Sequence, residues 1–128
     1  MIPRYRAWDK IHKIMYEVDD IMSIDFGKSE IGVKTLFFDQ TNRYNFDDIV
    51  LMQSTGLTDK NGKEIFEGDI LGTKDGLLNG VVKFNIDLGM WTNSLLRYNN
   101  FERLCSIANS REIIGNIWEH PELAEVSS

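Results

Sequence analysis

The chain has 128 residues, 42% of them hydrophobic and 27% charged, with a formal net charge of −6. That is enough apolar material for one core of ordinary domain size, and a body of this sign repels phosphate, which disfavours general coating of nucleic acid. No stretch approaches the roughly 20 apolar residues of a membrane-spanning helix, the N-terminus MIPRYRAWDK lacks the apolar centre of a secretion signal, and the single cysteine, Cys105, excludes an internal disulfide.

In chain order, Ile2 to Asp9 reads as a strand with Arg4, Arg6 and Trp8 on one face, and it returns as a hairpin through Ile14 to Val18. Apolar positions resume over Ile21 to Phe26. A loop over Gly27 to Gly32 leads to a strand over Val33 to Phe38. The polar stretch Asp39 to Asp48 predicts a surface loop or short helix ahead of an apolar strand at Ile49 to Met52. Gln53 to Leu57 and Lys63 to Phe66 then form a hairpin, because Asp59, Lys60, Asn61 and Gly62 make a turn in which Asn61-Gly62 takes left-handed conformations.

Beyond that turn, Glu67-Gly68-Asp69 bends the chain sharply before Ile70-Leu71, and Gly56, Gly62 and Gly68 supply positive φ at low steric cost. Ile70 to Thr73 pairs with Gly80 to Ile86, and Met90 to Leu96 returns along the same sheet. Asn99-Asn100 offers an N-cap for a short helix through Phe101, Leu104 and Ile107 or Ala108. A strand from Glu112 to Trp118 closes the β structure and Pro121 ends it. Cys105 reads as a small apolar side chain rather than a nucleophile, since neither histidine is near it in sequence.

These residues carry a family resemblance. The chain has Arg6-Ala7-Trp8-Asp9, then Gln53, Thr55, Gly56, Leu57, Asp59 and Gly62, then Glu67-Gly68-Asp69-Ile70, and lastly Ile114-Gly115-Asn116-Ile117-Trp118-Glu119-His120-Pro121-Glu122-Leu123. In this order they resemble the YopX-like family of bacteriophage and prophage proteins. The resemblance implies a phage-encoded, mostly β protein capable of self-association. It implies no established activity.

The acids invite a search for a metal-dependent enzyme, in which two or three carboxylates converge on a cation. Asp19-Asp20 and Asp47-Asp48 place neighbouring carboxylates on opposite sides of an extended chain, so they read as solvated loop acids. Glu67 and Asp69 lie on one side of the bend. Asp69 reads there as the acceptor of backbone amides that fix the turn, with cation binding the lesser alternative. His12, His120 and Cys105 lack zinc-ligand spacing, and the glycines lack a phosphate-loop pattern, so no metal and no cofactor are expected.

The expected fold is mainly β, with α+β as its neighbour. It has a β-rich extension over 1–50, an SH3-like barrel within 51–123, one or two short helices and a tail over 124–128, all in a single domain. The expected function is a non-enzymatic, oligomeric interaction or regulatory module of the bacterial cytoplasm, partnered by itself or by a phage or host protein, with no membrane role. Arg4, Arg6, Trp8, Lys10 and Trp91 are the candidate binding residues, and the first four define the nucleic-acid alternative: the first fifteen residues carry four cations against Asp9. The family positions Gln53, Thr55, Gly56, Asp59, Gly62, Glu67, Gly68, Asp69, Gly115, Asn116 and Pro121 are expected to shape the backbone rather than a reaction site.

Overall fold

The computed structural model of the chain describes residues 4–34 and 41–125. The chain is mainly β and divides into two compact units, Met1–Gln53 and Ser54–Ser128.

In the first unit, strand β1 (Tyr5–Asp9) pairs antiparallel with β2 (Ile14–Tyr16) along one side and with the start of β6 (Ile49–Thr58) along the other. With both of its backbone edges occupied, β1 buries Arg6 to Asp9 on both faces. Strands β3 (Ile21–Asp25), β4 (Glu30–Lys34) and β5 (Thr41–Asn45) form an antiparallel sheet in that order. Ala7, Ile31, Val33 and Ile49 make the core, flanked by Tyr16, Ile21, Ile24 and Tyr44.

Two features of this unit differ from the sequence reading. Strand β5 lies where a loop or short helix is predicted, and among the described residues of that stretch only Phe46–Asp48 takes a helical turn. Four of the five β5 residues are exposed, so local composition gives no strand signal. Their pairing comes from the waiting edge of β4, from Glu30↔Asn45 to Lys34↔Thr41. Strand β4 also starts at Glu30, with Gly32 inside it rather than in the preceding loop. A Cβ at Gly32 would lie 2.8 Å from Ser23 Oγ and from Thr41 Cγ2, so glycine serves close strand packing. Residues 35–38 of the strand predicted over Val33 to Phe38, and residues 2 and 3 of the first strand, fall outside the described residues.

In the second unit the end of β6 pairs with β7 (Glu64–Phe66), and the register slips around Gly56, whose φ is +78°. A curled, half-barrel sheet follows, in the order β11-β10-β9-β8-β12, from β8 (Asp69–Gly72), β9 (Gly80–Asn85), β10 (Met90–Leu95), β11 (Phe101–Arg103) and β12 (Glu112–Asn116). Ile65, Leu71, Val82, Leu104 and Ala108 form its core, with Trp91 and Ile113 packed against it.

The predicted helix from Asn100 is corrected. Asn100 Oδ1 accepts the amide of Phe101 at 2.8 Å, but Phe101–Arg103 joins the sheet as β11, and the helix α1 (Leu104–Ile107) begins only afterwards. Leu104 and Ala108, four residues apart, turn one helix face into the core. That rotation points Cys105 to solvent, and its thiol is free and exposed.

Candidate interaction surface

The family positions lie in strands β1, β6, β8 and β12 and at the turns beside them, and several of their polar atoms serve the backbone. Asp9 is fully buried; its Oδ1 accepts the amides of Ile11 and His12 at 2.9 and 3.0 Å, while its Oδ2 lies 2.8 Å from His12 Nδ1. Burial alone would raise the Asp9 carboxyl, but the His12 and Ile11 amides and the His12 ring outweigh it and hold it below its ordinary value. Asp59 follows the same design. Its Oδ1 takes the amides of Asn61 and Lys63 and its Oδ2 takes that of Ile113, which together overcome the burial effect and lower its carboxyl.

Asp69 Oδ2 accepts the amide of Phe66 at 2.8 Å, as the turn role predicts, and Gly68 between Glu67 and Asp69 has φ +86°. Glu67 is half-buried, and burial raises its carboxyl. Among the described residues, no group of three or more His, Cys, Asp or Glu side chains is placed to hold a metal ion. Thr55 Oγ1 donates to Ile65 O at 2.8 Å, Gln53 pairs with Tyr5, and Gly62 closes its turn with φ +81°. Asn116 Oδ1 accepts the amides of Trp118 and Glu119, and Pro121 opens a final helical turn. A Cβ on Gly115 would lie 2.7 Å from His120 Nδ1.

The four candidate binding residues of the first unit do not all reach the surface. Arg6 and Trp8 are 8% and 7% exposed, within the interior of β1, whereas Arg4 is exposed and Lys10 donates to Asp47 O at 3.1 Å. A strip of four residues that loses two to the interior offers a nucleic acid neither its aromatic platform nor its full charge. Trp91, in the second unit, stacks edge-on against Phe84 with ring centroids 5.2 Å apart.

That pair leads to a feature the sequence reading missed. Phe84 and Trp91 continue the core-facing side of the β9–β10 hairpin to a turn, Ile86-Asp87-Leu88-Gly89, where Ile86 is 85% and Leu88 50% exposed. Turn positions ordinarily carry Gly, Asn, Asp or Ser, and two large aliphatics there are the signal that went unused. The turn is rigid: the Gly89 amide donates to Asn85 O at 2.8 Å and the Leu88 amide to Asn85 Oδ1 at 3.0 Å.

Deeper in the same unit a polar cluster gathers around one carboxylate, with Asn93 Oδ1 buried and without a hydrogen-bond partner. Arg111 grips Glu102 with two hydrogen bonds of 2.7 and 2.6 Å, and Asn93 Nδ2 donates to Glu102 at 3.1 Å. The Arg111 bonds, the largest influence, and Asn93 hold Glu102 below the usual carboxylate range against the opposing effect of burial.

The chain matches the family model described as YopX protein over residues 4–125. It belongs to the YopX family. The crystal structure of protein EF1440 from Enterococcus faecalis is similar to this YopX-family chain at 30% identity and a TM-score of 0.66, covering 98% of this chain and 99% of that one. Protein yopX from Bacillus subtilis shares the fold at 20% identity and a TM-score of 0.63, with 95% and 98% covered. No curated protein matches the chain. Among the described residues, no helix is long and apolar enough to cross a membrane.

Proposed function

We propose that this YopX-family chain is a non-enzymatic, phage- or prophage-encoded interaction module that self-associates in the bacterial cytoplasm, with its second unit working as an SH3-like barrel. The observation that carries this reading is the rigid hairpin end at which Ile86 and Leu88 stand exposed beside Phe84. Apolar side chains held out to water by a well-bonded turn cost solubility and contribute nothing to their own core, which is the mark of a contact surface. The buried acids of the family motifs support the same reading, because Asp9, Asp59 and Asp69 are committed to backbone amides rather than poised for chemistry.

The test is affinity co-purification from host lysate, with and without nuclease, comparing the parent with Ile86→Asp/Leu88→Asp. A stoichiometric protein, either a second copy or a phage or host protein, retained after nuclease and lost in the variant is the expected result. Recovery of nucleic acid, or loss of every partner on nuclease treatment, would overturn the reading in favour of nucleic-acid association.

A further inference from the structure

Besides the hairpin end, the described residues offer a groove in the first unit. It has a volume of about 470 Å³ and is lined chiefly by Tyr5, Val18, Ile21, Met22 and Ile24, with Arg4 bordering it. The register of β3 against β4 slips by one residue between Ile21 and Ser23, making Met22 the extra residue of a β-bulge. A bulge breaks the alternation of side chains between faces, so the consecutive residues Ile21 and Met22 both line the groove. Met22 is left 57% exposed there.

We infer that the hairpin end of one copy, Ile86-Asp87-Leu88, docks into the Met22 groove of a second copy, giving a head-to-tail association. This deepens the self-association already proposed and rests on it. Three properties fit this occupant. The groove falls within the roughly 300–1,000 Å³ of sites that enclose small ligands, room for a pair of aliphatic side chains. Among the described residues its one charged lining residue is the cation Arg4, and the one charged residue of the hairpin turn is the anion Asp87, between the two aliphatics. The finger is also pre-ordered by the Gly89 and Leu88 amide bonds to Asn85, so docking freezes little new backbone.

Two different patches joined in this way make a heterologous contact, which propagates to rings or filaments rather than stopping at a two-fold dimer. The alternative use of an apolar fingertip, packing against the same tip of another copy, is isologous. The two are told apart by complementation.

The experiment is sedimentation velocity on the full chain over a wide concentration range, with a finger variant, Ile86→Asp/Leu88→Asp, and a groove variant, Met22→Asp. All three substituted side chains are exposed, and circular dichroism melts confirm that both variants fold. The parent is expected to associate beyond a dimer and each variant alone to lose that association. An equal mixture should then form a one-to-one pair, because the intact finger of one meets the intact groove of the other. A mixture that stays monomeric, a finger variant that assembles like the parent, or a monomeric parent each overturns the proposal. A monomeric parent that still retains a stoichiometric foreign protein in the co-purification leaves the interaction-module reading standing while removing this one.

Discussion

The carboxylate of Asp59 accepts the amide of Ile113 at 3.0 Å, across 54 residues of sequence. One side chain thus shapes the β6–β7 turn through Asn61 and Lys63 and fastens that turn to β12.

Asp59→Ala is expected to cost about 3 kcal/mol, the low end for three amides that lose a charged acceptor, since water reaches the two at the turn. For a chain of this size that lowers Tm by about 10 °C. Asp59→Asn should lose roughly half as much, because an amide keeps one acceptor for the turn but turns a donor toward Ile113. Thermal denaturation checks the first, and faster hydrogen exchange at the Ile113 amide checks the second.

Acid should destabilise the fold with a definite sign. Asp9, Asp59 and Glu102 all have carboxyls lowered in the folded state, so the unfolded chain binds more protons in acid. Their contribution is complete above the ordinary carboxylate range of about 4 and is lost as pH falls through the lower folded values. Urea midpoints measured from neutral pH downward should hold and then decline in that window; a midpoint that rises there would contradict the assignment.

Glu67 runs the other way. Its carboxyl is raised by burial, so its charge opposes folding at neutral pH and protonation relieves the penalty as pH falls through the folded value. Glu67→Gln is expected to be more stable than the parent near neutrality, with a gain that shrinks in acid. Equal urea midpoints at neutral pH would count against it.

Gly68 has φ +86°, and it is held at both ends: its amide donates to Val82 O at 2.9 Å and its carbonyl accepts from the Ile117 amide at 3.0 Å. The backbone therefore cannot relax to a negative φ without breaking ties to β9 and to the chain beyond β12. Gly68→Ala should cost about 1–2 kcal/mol and Gly68→Val more, because a β-branched side chain tolerates that region least. A Gly68→Val protein that melts with the parent would show the bend to be wrongly assigned.

For Arg111 and Glu102, breaking the pair should be worse than removing it. Glu102→Ala leaves the Arg111 guanidinium, 8% exposed, without its carboxylate, at a cost of about 3 kcal/mol. Replacing both by apolar residues of similar size is expected to recover most of that loss. A double-mutant cycle in denaturant measures the difference.

Much of the backbone was legible in the sequence because its instructions are local. Gly62 with Asp59, and Gly68 with Asp69, specify their turns through positive φ and a carboxylate within reach of amides a few residues away, and both turns stand where the spacing placed them. The hairpins of β1 with β2 and β8 with β9 follow likewise from alternation and turn residues. The late start of α1 was misread because Asn100 looks like a cap only until the edge of β10 claims Phe101–Arg103.

By itself, then, the sequence determined a mainly β chain of the YopX family and where most of its tight turns fall, since a turn depends on a handful of consecutive residues. Only the tertiary structure decided that polar Thr41–Asn45 is a strand, that Arg6 and Trp8 are interior, that Asp59 reaches Ile113, and that Ile86 and Leu88 face water. Each of those outcomes depends on partners far along the chain, where pairing and burial outweigh the preference of any one residue.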